Sequence, residues 1–63
     1  MRAPRVSGYF IRERDGTFYI VARYDDGAEE THVDDLTRAD AELQMLLATG
    51  DIVYEEKQFD LGL

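Results

Sequence analysis

The chain has no cysteine and no tryptophan, and only one proline (Pro4), one serine (Ser7) and one histidine (His32). Without cysteine, neither a disulfide nor a thiolate-held metal can supplement the core, and a reducing compartment is the expected setting. With a single serine and a single histidine, a Ser-His-Asp centre would have to join Ser7 near the chain start to His32 across a sheet. Nothing resembling an oxyanion-hole loop accompanies them. Apolar runs are short, as in Tyr9-Phe10-Ile11, far from the roughly 20 residues of a membrane span. No apolar signal core follows the charged start Met1-Arg2-Ala3-Pro4-Arg5. A soluble, cytoplasmic protein is expected.

Other absences narrow the chemistry. There is no glycine-rich phosphate loop, no nucleophile elbow and no paired-histidine metal motif. Asp25, Asp26, Glu29, Glu30, His32, Asp34 and Asp35 crowd together, but no alternating acidic triplet precedes Gly27 as a calcium loop requires. A pair of catalytic carboxylates needs a cleft that excludes water, for which 63 residues leave little room. The expectation is a non-enzyme with no cofactor and no metal, acting by binding.

What the chain does have is acid, unevenly placed. Residues 1–24 carry five arginines against Glu13 and Asp15, a net of +3, and residues 25–63 carry twelve carboxylates against Arg38 and Lys57, a net of −10; together they make the −7 of the whole chain. That field repels nucleic acid and attracts basic surfaces, so direct nucleic-acid binding is not expected.

A chain of 63 residues makes a single domain, residues 1–63. Its core is small, and self-association as a homodimer would supplement it. Two β-rich runs, Val6 to Arg14 and Thr17 to Tyr24, flank Asp15-Gly16, the composition of a two-residue hairpin turn. That turn sets Ile11 opposite Ile20 and Arg12 opposite Tyr19. Tyr9, Ile11, Phe18, Ile20 and Ala22 then share a core face. Phe10, Tyr19 and Val21 lie on the other face, apolar enough to serve self-association.

Asp25-Asp26-Gly27 marks a second turn. A two-residue loop there sets Arg23 opposite Glu30 and Ile20 opposite Val33, with Thr31 and Val33 on the core face; a three-residue loop would turn Glu30 inward. The shorter loop is the preferred reading. Thr37 and Asp40 resemble a capping box. Ala39, Leu43, Leu46 and Leu47 recur at helical spacing, and Gly50 suits a left-handed helix end, predicting a helix over 38–49 packed by that stripe. Asp51 to Phe59 reads as a fourth strand. The predicted fold is α+β, a β-β-β-α-β domain in which an antiparallel meander carries one helix on one face and gains a fourth strand.

Carboxylates recur in doublets, Asp25-Asp26, Glu29-Glu30 and Asp34-Asp35 among them, their starts about 13–17 Å apart along an extended chain. Acidic turns and helix starts are ordinary in themselves. A short, acidic, disulfide-free α+β chain with such doublets resembles phage-encoded inhibitors of host defence, notably anti-CRISPR proteins that imitate nucleic acid. The resemblance implies that Asp25, Asp26, Glu29, Glu30, Asp34 and Asp35 stand in for phosphates. They would bind the basic protein surface of a nucleic-acid-binding complex and inhibit it. The order of elements, with Leu36-Thr37-Arg38-Ala39-Asp40-Ala41 leading into the helix, is also similar to the partial RNase H-like domain of HicB-type antitoxins. That likeness implies an antitoxin instead, and the half-apolar face of Phe10, Tyr19 and Val21 offers a third reading, a small homodimeric interaction module.

Overall fold

The computed structural model describes residues 3–55. Strand β1 (Val6–Arg14) and strand β2 (Thr17–Tyr24) form a hairpin, strand β3 (Glu29–Leu36) follows, and helix α1 (Arg38–Thr49) closes the order. The sheet is an antiparallel meander with strand order β1-β2-β3. Asp15 and Gly16 both take positive φ, 55° and 78°, as the two-residue turn demands. Every pairing from Tyr9–Ala22 to Arg14–Thr17 follows from that turn.

The second turn departs from the expected loop. The Gly27 N–H donates to the Tyr24 carbonyl (3.0 Å) and the Tyr24 N–H to the Ala28 carbonyl (2.8 Å), so Asp25, Asp26 and Gly27 form a three-residue loop. Gly27 ends it at φ 91°, the left-handed residue that such a loop needs. Arg23 therefore faces Glu29, not Glu30, and Glu30 faces Ala22. Thr31 lies opposite Val21, away from the core face. Ile20 still faces Val33, because an irregularity between Ile20 and Val21 absorbs one residue of β3. A second irregularity before Phe18–Leu36 takes up another, where Asp35 adopts φ 58°.

Thr37 caps α1, its hydroxyl accepting from the Asp40 N–H at 3.2 Å, and Gly50 ends it at φ 85° with its N–H donating to the Leu46 carbonyl. The bounds agree with the expected ones; the buried face does not. Ala41 and Met45 are the buried helix residues, packed with Ile11, Phe18 and Ile20 beneath a margin of Tyr9, Val33 and Leu36. The predicted stripe is on the solvent side: Leu43, Leu46 and Leu47 are 55%, 46% and 77% exposed. The reason is steric. α1 lies mainly across β1 and β2, where a methyl and a flexible thioether fill the gap between helix and sheet.

The expected fourth strand does not form an element among the described residues. Tyr54 makes an isolated parallel bridge with Ile11, whose N–H donates to the Val53 carbonyl (2.8 Å) and whose carbonyl accepts from the Glu55 N–H (2.9 Å). The Val53 N–H also meets the Met45 sulfur at 3.2 Å, tying this segment to the helix. Residues 56–59 of the predicted strand lie outside the described residues. No helix among the described residues is long and apolar enough to cross a membrane.

Candidate binding surfaces

On the sheet face away from α1, alternation along β1 and β2 brings Phe10, Arg12, Tyr19, Val21 and Arg23 together. Arg12 donates through Nε and Nη2 to one oxygen of Glu55 (2.9 and 2.6 Å), and its Nη2 reaches Glu29 across the sheet at 2.9 Å. Arg23 holds the other oxygen of Glu29 at 3.0 Å. The network runs Arg23–Glu29–Arg12–Glu55. The Arg12 hydrogen bonds, with Arg23 adding to them at Glu29, hold both carboxyls below the usual range. The same two acids, Glu55 first, raise the Arg12 guanidinium above its ordinary value.

Both guanidinium groups also sit over the Phe10 ring, 5.3 and 4.9 Å from its centroid. Phe10 and Val21 are buried and Tyr19 is half-buried. The expected self-association residues are therefore mostly covered within the folded chain.

The six predicted partner-binding carboxylates separate into two groups. Glu29 is neutralised by Arg12 and Arg23. Asp25, Asp26, Glu30, Asp34 and Asp35 form no ion pair among the described residues, and all five are exposed. Asp25 accepts the Arg5 N–H (3.3 Å) and Asp26 the Ala28 N–H (2.9 Å), contacts that shape the turn and leave the charge in place. Glu30 lies on the helix-side face near Tyr24, whose phenol is pushed up by burial first and by the Glu30 charge second. The five acids follow the outermost strand of the sheet and the turn leading into it.

The Ser7 hydroxyl donates to the Arg23 carbonyl at 3.0 Å, and the His32 ring meets Tyr9 edge-on at 5.5 Å. An open groove of about 310 Å³ runs between Ser7–Phe10 and Val53–Glu55. Among the described residues, no three histidine, aspartate or glutamate side chains converge as a metal site.

Two features were missed in the sequence. One is Arg12–Glu55, a pair 43 residues apart that only the bridge at Ile11 creates. The other is the exposed leucine face of α1, whose periodicity was visible but reads the same whether it faces a core or a partner. Compared with protein-family models, curated proteins and solved structures, the chain matches none.

Proposed function

We propose that the chain is a non-catalytic, cytoplasmic binding protein whose acidic margin covers the basic surface of a nucleic-acid-binding complex and inhibits it, as anti-CRISPR proteins of the mimic type do. One observation supports this reading above others. Five exposed carboxylates, Asp25, Asp26, Glu30, Asp34 and Asp35, lie along β3 and its turn without internal ion pairs among the described residues. A surface of lysine and arginine that holds phosphates would gain from such a row, and the −7 chain would approach it quickly.

The test is capture of a purified nucleic-acid-binding complex at rising salt. Capture should weaken above the physiological range, where the Debye length falls below about 8 Å. Replacing Asp25, Asp26, Asp34 and Asp35 by lysine should abolish it while the circular dichroism spectrum is kept. Undiminished capture by that variant would end the proposal.

A second reading rests on the bridge at Ile11. The segment after the helix makes a single parallel bridge to β1, without forming a strand among the described residues, and this contact supports the likeness to the HicB-type antitoxin domain. That reading predicts a small basic toxin encoded next to this chain and neutralised by it. Growth arrest by the neighbour alone, relieved by co-expression, would favour it over the inhibitor.

A further inference from the structure

Helix α1 has two apolar faces, and among the described residues only one of them is packed against the sheet. At 3.6 residues per turn, Ala39, Leu43, Leu46 and Leu47 fall on an arc of about 100° centred opposite Ala41 and Met45. All four are exposed. A patch of this kind on a soluble chain marks a contact surface.

The charges beside the stripe indicate what covers it. Asp40 falls on the helix edge beside Leu47, and Glu42 on the opposite edge beside Leu46. Neither makes an ion pair among the described residues, although Glu42 accepts a hydrogen bond from the Tyr54 hydroxyl. The last turn carries no basic residue. A second copy of the chain would bring acidic border against acidic border and join two chains of net charge −7. An anionic membrane surface is repelled in the same way.

We infer that this face docks an amphipathic helix of a partner protein, one whose apolar stripe is bordered on both sides by lysine or arginine. The inference rests on the reading of the chain as a binder of basic proteins, but it uses a different surface from β3. A single helix face about 18 Å long buries less than the roughly 800 Å² per partner of standard interfaces, so the complex is weak and exchanges readily.

The probe is a fluorescein-labelled synthetic peptide of about 18 residues, five helical turns, with leucines at helical spacing between lysines. It is titrated with the full chain and read by fluorescence anisotropy. The double variant Leu43→Gln/Leu47→Gln should bind about tenfold more weakly or worse, a loss near 1.4 kcal/mol. Because both residues are exposed, the far-ultraviolet spectrum and melting temperature should hold. A peptide of the same composition with its leucines spread around the helix should lose as much. Equal affinity for the two peptides, or for the variant, overturns the inference in favour of charge alone.

Asp25→Asn/Asp26→Asn should leave peptide affinity within about threefold, since that turn lies at the end of β3 remote from the start of α1. Loss of peptide binding there, with the leucine variant unaffected, would sink the helix site and leave the β3 reading standing. Sedimentation showing a dimer that Leu43→Gln/Leu47→Gln dissociates would assign the face to a second copy instead.

Discussion

Met45 and Leu47 stand two positions apart on the same helix, yet truncating them should have opposite consequences. Met45 is 1% exposed, fills the space between α1 and the sheet, and receives the Val53 N–H on its sulfur. Removing a buried methionine side chain to alanine costs about 2–5 kcal/mol through lost burial and the cavity left behind. A 63-residue domain has about 3–9 kcal/mol in total. Met45→Ala should therefore leave the chain marginal, with a melting temperature lower by about 10 °C or more at roughly 4–8 °C per kcal/mol.

Leu47→Ala removes a side chain that is 77% exposed, and alanine is the better helix former, so its effect should stay within about 0.5 kcal/mol. Met45→Leu, close in volume, should cost less than about 1.5 kcal/mol and show how much of the loss is cavity. Urea titration of the four proteins, followed by circular dichroism at one slope, measures all of this. If Leu47→Ala proves as damaging as Met45→Ala, the helix packs by its leucines, and both the fold described here and the proposed docking face are wrong.

Further outcomes follow from the ion-pair face and the backbone. Arg12→Met, which removes both carboxylate contacts and the stacking over Phe10, should cost about 1–2 kcal/mol in urea unfolding. Glu29 and Glu55 have folded pKa values below their unfolded ones, so their contribution is complete above the unfolded value of about 4.3 and is lost as pH falls through the folded one. The urea midpoint should accordingly hold between neutrality and about pH 5 and fall below about pH 4.5, and that fall should be shallower in Arg12→Met. At Asp35, φ 58° strains any side chain branched at Cβ; Asp35→Val should cost about 1–2 kcal/mol, while Asp35→Gly should be neutral or stabilising in the same assay. Thr37→Ala, which deletes the helix cap, should cost about 1 kcal/mol.

Features encoded locally were legible in the sequence. The Asp15-Gly16 turn determines the β1–β2 register because both of its residues must adopt positive φ, and few compositions allow that. Thr37 and Gly50 bound α1 for equally local reasons. The β2–β3 register was less accessible: Asp25-Asp26-Gly27 suits a loop of two residues or three, and the irregularity at Ile20–Val21 lets Val33 face Ile20 in either case. Packing was least legible. Counting large apolar residues selects the leucines, whereas the sheet accepts Ala41 and Met45, and their fit depends on the distance between two layers. Among the candidate site residues, Glu29 differed from its neighbours only because the longer loop set it opposite Arg23 and within reach of Arg12. No pattern within the strand itself separates Glu29 from Glu30.

The outermost strand has a further consequence for behaviour in concentrated solution. β3 loses its regular spacing twice in eight residues, once near Ile20–Val21 and once where Asp35 turns left-handed. An incoming chain that tried to zip along it would find donors and acceptors out of step after a few residues, and fixed negative charge between them. Among the described residues no further strand pairs with the outer edge of β3, and its two crimps and fixed charge should oppose runaway sheet growth from that border.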